Sequence, residues 1–221
     1  MTTTDTERPG FDRRMAREEI NALPMRRFDG VVEVVTEQDH LAEALKCLEQ
    51  EPVLGFDTET RPSFAKGESY DPSLVQLAGS KMTYVIQLKP VEFPVSLRRL
   101  LANEKIIKAG VAPYHDLNEL QRLGEFEPAG IVDLATGAKN LGIKNHGLRG
   151  LAAVLLGFRI SKSSQVSNWA RRDLTEAQVS YAAMDAWVSR ELYLHLDKMG
   201  AEMKPNGSRP DPEPTPSKEN S

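Results

Sequence analysis

The 221-residue sequence predicts a single α/β domain built on a mixed central sheet. Three observations carry that expectation. Apolar segments of strand length are separated by segments with helical periodicity. Two strand-like segments, 74–78 and 83–88, are joined by Gly79-Ser80 and read as a hairpin, which makes part of the sheet antiparallel. The later chain runs strand–helix–strand–helix, the pattern of a parallel sheet covered by helices. The length suits one full-sized domain with tails.

Taken in order, residues 1–30 mix Arg8, Arg13, Arg14, Arg17, Arg26 and Arg27 with acids and read as an arm that lies on the domain or reaches towards substrate. Within it, Met15 to Leu23 can form a short helix that Pro24 ends. The domain is expected over 31–200. Val31 to Val35 reads as a strand, and 40–50 as a helix with Leu41, Ala44, Leu45 and Leu48 inward. Val53 to Glu59 is a strongly apolar strand that finishes on acids. A polar loop leads to the hairpin. Helix signals follow at 95–102, a strand at 106–109, a helix at 113–122 and a short strand at 131–133. Three helices are expected at about 134–141, 147–157 and 175–198. The last opens on Thr175 with Gln178 three residues on, a capping box. Residues 201–221 form the expected disordered tail. From Lys204 onward there are five prolines and no large apolar residue, so little surface could be buried to offset the ordering entropy.

Composition narrows the function only loosely. Cys47 is the single cysteine, which excludes an intrachain disulfide and a Cys-rich zinc site. The four histidines show no ligand spacing. Apolar runs fall far short of the roughly 20 residues of a membrane helix. The amino terminus has neither a basic region nor an apolar core of the secretory kind, so a cytoplasmic location is expected. A net charge of −4 argues weakly against nucleic-acid binding. A site that gathers carboxylates around divalent cations would nevertheless lower the sum without repelling phosphate.

Four acids stand out. Asp57 and Glu59 are two apart on a strand and leave the same face. Buried acids at the end of a central strand need partners or a metal, although the strand could simply emerge into solvent there. Tyr181 and Asp185 are four apart on a helix and share one face, with Met184 and Val188 beside them. Asp185 could instead pair with Arg190. Asp116, early in a helix, could do no more than complement the helix dipole. Each acid alone has an ordinary explanation.

Together they resemble one family. Phe56-Asp57-Thr58-Glu59-Thr60 resembles the Asp-x-Glu motif of the DEDD exonuclease superfamily. Lys108 to Leu117, with Asp116 after an aromatic-containing turn, resembles its second motif. Tyr181-Ala-Ala-Met-Asp185 resembles the Tyr-x-x-x-Asp motif of the DEDDy branch. Ser167 to Gln178 is similar to ribonuclease D and Werner-type exonuclease domains. Family members often carry Asn two or three residues before the aromatic of the second motif; here Ala112 and Val111 stand there. The resemblance spans about residues 31–198. It implies a ribonuclease H-like fold with a mixed five-stranded sheet, and a DEDDy domain standing alone.

The same resemblance implies metal-dependent 3′–5′ hydrolysis of phosphodiesters on DNA and/or RNA with a free 3′ end. Two cations, Mg²⁺ or Mn²⁺, about 3.5–4 Å apart would activate water and stabilise the leaving oxygen. Asp57, Glu59, Asp116 and Asp185 are the implied ligands. Tyr181, whose ordinary pKa is about 10, would aim the water rather than deprotonate it. Arg61, Lys162, Arg171 and Arg172 are candidate phosphate contacts. Phe64 and Tyr70 could stack on bases, although packing within their loop is the preferred reading, as it is for Trp169. The alternative is a catalytically weak nucleic-acid-binding or scaffold module of the same fold.

Overall fold

The computed structural model describes residues 8–65 and 67–206. Before the sheet, α1 (Arg17–Ala22) lies in the N-terminal arm. The domain then runs β1 (Val31–Val35), α2 (Gln38–Leu48), β2 (Val53–Thr60), β3 (Pro72–Ala78), β4 (Met82–Gln87), α3 (Leu88–Val91) and α4 (Val95–Leu101). It continues with β5 (Ile107–Gly110), α5 (Pro113–Leu123), β6 (Ile131–Asp133), α6 (Leu134–Asn140), α7 (Leu148–Leu151) and α8 (Glu176–Lys198).

One sheet holds the molecule together, in the order β1-β4-β3-β2-β5-β6. β3 is antiparallel to β2 and to β4, while the β1–β4, β2–β5 and β5–β6 pairs are parallel. The sheet thus has six strands, not the five that the resemblance implied. The extra strand is β1, which extends the sheet by pairing along the outer edge of β4 from Val31↔Met82 to Val35↔Ile86.

Strand alternation divides the core between two faces. Leu54 and Phe56 of β2 pack with α2, α4 and α5 on one side. Val53 packs on the other side with residues of α6 and α8. The carboxyl ends of β2, β4, β5 and β6 share one rim of the sheet, where open α/β sheets place their ligands.

The helix expected over 147–157 is four residues of α7 followed by a π turn, Ala152–Leu156, which ends at Gly157 with φ +73°. The arm lies on the domain. Lys144 N donates to the Gly10 carbonyl, Arg159 N to Pro24 and Arg26 N to Arg159, and the Arg26 guanidinium sits 5.0 Å from the Trp187 ring centroid.

The disorder expected from residue 201 does not begin there. Met203 packs beneath α6, and Asn206 bonds on both sides of Ile131, its side-chain oxygen accepting from Ile131 N and its backbone N donating to the Ile131 carbonyl, as a neighbouring strand would. The rest of the expected tail, 207–221, lies outside the described residues. No helix among the described residues is long and apolar enough to cross a membrane.

Candidate active site

The acids are assembled by two elementary periodicities. Along β2, Val53, Gly55, Asp57 and Glu59 face α8, whereas Leu54, Phe56 and Thr58 face α5. Gly55 sets the distance between strand and helix. A Cβ there would fall 1.8 Å from the Ala186 carbonyl oxygen and 2.8 Å from the Arg190 nitrogen. Backbone therefore lies against backbone one residue from Asp185. At the start of α8, Gln178 N donates to Thr175 Oγ1 at 3.2 Å, and Thr175 N donates to Gln178 Oε1 at 3.1 Å, as the capping box requires. Gln178 Nε2 also donates to the Asn168 carbonyl and ties the Asn168-Trp169 turn to the helix.

Asp57, Glu59 and Asp185 each offer an oxygen within 4.8 Å of the others. Asp116 stands beside this triad rather than in it: Thr58 Oγ1 donates to Asp116 Oδ1 at 2.6 Å. Thr58 was missed in the sequence. The signal was available, since the middle residue of Asp-x-Glu must face the opposite helix. Arg190 is not the partner of Asp185. It donates to the Val53 carbonyl and pairs with Glu51 and Glu191.

Burial makes every acid here resist ionisation, and neighbouring negative charge adds to it at Asp57 and Glu59. Burial, then the charges of Asp185 and Asp116, push Asp57 well above the carboxylate range. Glu59 is pushed up to about 10, by burial first and then by Asp57, Asp185 and Asp116. Burial lifts Asp185 to about 7, against the opposing pull of the Tyr181 hydroxyl. Asp116 is raised by burial, with the Thr58 hydroxyl working against it. Tyr181 is raised by burial and then by Asp185 and Glu59, so it keeps its proton. One further observation bears on cations. Asp185 is 5% exposed, and its Oδ1 has no hydrogen-bond partner. A buried oxygen without a donor, beside two more carboxylates, is a donor set that suits a hard divalent cation.

The triad opens into a cleft of about 970 Å³. Tyr181 and Lys162 line it, and so do Arg14 and Arg17 of the arm, which the sequence left lying on the domain or reaching towards substrate; His146 and Arg149 line it too and were unforeseen as site residues. Arg61, Tyr70, Arg171 and Arg172 line a separate cleft of about 900 Å³ with Gln87 and Trp169. There the Arg61 guanidinium sits 4.7 Å from the Tyr70 ring centroid. Trp169 packs as expected, 1% exposed and 5.8 Å from the Tyr181 ring. Phe64 departs from expectation. It is 85% exposed and so does not pack its loop.

A sequence profile of the 3′–5′ exonuclease family matches residues 32–201. DNA polymerase I of Aquifex aeolicus is 35% identical over 167 residues, covering 76% of this chain and 27% of that protein. Ribonuclease D of Haemophilus influenzae is 33% identical over 171 residues, covering 75% of this chain and 41% of that one. The chain spans about a quarter to a half of the length of the first curated relatives it matches. Among solved structures, the Nibbler EXO domain of Aedes aegypti superposes with a TM-score of 0.70 at 25% identity, over 80% of this chain and 92% of that domain. Ribonuclease D of Escherichia coli shares the fold, with a TM-score of 0.67. The ribonuclease H-like sheet, the carboxylate triad at its rim and Tyr181 four residues before Asp185 agree with these matches, and the chain belongs to the 3′–5′ exonuclease family, in its DEDDy branch.

Proposed function

We propose that the chain hydrolyses phosphodiester bonds at nucleic-acid 3′ ends and releases nucleoside 5′-monophosphates. The observation that carries this reading is the meeting of Asp57, Glu59 and Asp185 within 4.8 Å at the sheet rim, with an orphaned Asp185 oxygen among them. Asp57, Glu59, Asp185 and the adjacent Asp116 would hold two divalent cations, Mg²⁺ or Mn²⁺, which when bound lower the pKa of a water and neutralise the leaving 3′-oxygen.

The chain's own groups do the rest. Tyr181 remains a neutral donor and aims the attacking water by a hydrogen bond. Thr58 fixes the carboxyl of Asp116. Lys162 lies in the cleft to meet phosphate, whereas Arg61, Tyr70, Arg171 and Arg172 lie one cleft away and serve a more distant part of the strand. Phe64, exposed in the loop that follows β2, is free to stack on a base. The relatives include a DNA polymerase and ribonucleases, and the substrate class is DNA and/or RNA with a free 3′ end. The expected setting is the cytoplasm. A domain of residues 31–200 preceded by an arm accommodates these parts.

The test is Mn²⁺-dependent shortening of 5′-labelled oligonucleotides by the purified chain. Asp57→Ala is expected to lower the rate by at least about a hundredfold, since it removes a ligand that no neighbour replaces. Equal rates for the two proteins would end the proposal. A wild type inert on every substrate in both metals would favour the scaffold alternative.

A further inference from the structure

The arm precedes the segment that the family profile matches, 32–201, yet it forms part of the wall of the cleft that holds the acids. Its placement is specific. Met15 N donates to Asn145 Oδ1 at 2.9 Å, and Asn145 Nδ2 returns a bond to the Met15 carbonyl at 3.2 Å. Asn145 is itself buried. Arg13 and Glu19 form a two-pronged pair at 2.7 Å that braces α1, and Arg149 Nη2 donates to Asn21. The arm is thus latched at both ends of α1.

What the latch presents is positive charge. Arg14 and Arg17 are exposed, line the cleft and have no ion-pair partner among the described residues. Arg149, on the same wall, keeps a buried Nε with no acceptor. These guanidinium groups face a cleft whose floor is three carboxylates. Surface arginines more often pair with nearby acids, and Glu18 and Glu19 are available in this arm. Instead Glu19 is taken by Arg13, which leaves the other two for something acidic that enters the cleft. Planar guanidinium groups suit phosphate oxygens.

We propose that the N-terminal arm is part of the substrate site: Arg14 and Arg17, on the wall that the arm builds with Arg149, hold backbone phosphates of the strand whose 3′ end reaches the carboxylates. The inference rests on the exonuclease reading for the identity of the strand. It also accounts for how a chain of net charge −4 attracts a polyanion, since the cations are concentrated where the strand must pass.

The probe is a 5′-fluorescent octanucleotide whose 3′-terminal linkage is a phosphorothioate, so that binding is read by anisotropy in Mg²⁺ while cleavage is slowed. An unmodified octanucleotide gives kcat and KM. Arg14→Ala/Arg17→Ala in the full chain is expected to weaken binding roughly tenfold and to raise KM, with kcat within about twofold of wild type. The slope of log affinity against log salt should flatten by about 1.4, two phosphate contacts on a single strand. Arg14→Lys/Arg17→Lys should recover most of that slope. Asn145→Ala, which releases the latch, should weaken binding less when added to the double alanine variant than alone.

An unchanged affinity and slope in the double alanine variant would overturn the inference, as would weakening with the slope intact. If wild type binds with the arginine-dependent slope but cuts nothing, the arm inference stands and the catalytic reading falls. If wild type cuts and the variants bind as it does, only the arm inference falls.

Discussion

Ala112 holds φ +53° and ψ +46° immediately before α5, in the left-handed region that suits glycine or asparagine. The turn matters because it aims the first turn of α5, and with it Asp116, at Thr58. The Asp133 carboxylate steadies it by accepting from Ala112 N at 2.9 Å. Ala112 therefore stands where asparagine or glycine would hold the turn with less strain. The Ala112 methyl is exposed, so losing it sacrifices no packing. Ala112→Gly should therefore stabilise the chain by about 1 kcal/mol and raise Tm by roughly 2–4 °C. A thermal melt checks this, and a lowered Tm would show that the turn carries no strain.

At the scale of elements, the active site is a contact between β2 and α8. Gly55→Ala would drive a methyl into the Ala186 carbonyl, and neither backbone can turn aside. The expected loss is at least about 1–3 kcal/mol, with activity falling further than stability because Asp185 moves away from Asp57. Melting and single-turnover rates measured on the same preparation separate the two effects. Much of this contact was legible in the sequence. Asp57 and Glu59 share a face because strands alternate, Tyr181 and Asp185 because helices repeat at four, and Thr175 with Gln178 marks where α8 begins. The depth of approach at Gly55 was not legible, since any strand glycine reads first as a weak point. That Thr58 turns to the opposite face follows from the same alternation, but its bond to Asp116 in particular needs the position of α5, which no local pattern gives. The arm's position rests on Asn145, 130 residues from Met15, and no local pattern reports so distant a partner.

For the whole molecule, protons and cations compete for one site. Glu59 and Asp185 hold protons more tightly in the folded chain than in the unfolded one. Without cations, that stabilisation is fully present below about pH 4. It is lost as pH rises through about 7 at Asp185 and about 10 at Glu59. Lys108 works in the opposite sense. Burial lowers it to about 7, so stability rises above that pH, and its contribution cancels when curves with and without cation are subtracted. Mn²⁺ at about a hundred times its Kd should raise Tm by roughly 5–10 °C near pH 8, and by much less near pH 5 where protons hold the site. A shift of equal size at both pH values would count against a carboxylate-bound cation. A last consequence belongs to the edge of the sheet. β6 is an outer strand, and unpaired outer strands invite a second molecule to pair with them. Asn206 supplies an acceptor to Ile131 N at 2.8 Å and takes up the Ile131 carbonyl at 3.1 Å, so one residue imitates the missing neighbour. At this edge of the sheet an asparagine far from any chemistry thereby blunts pairing with a second molecule.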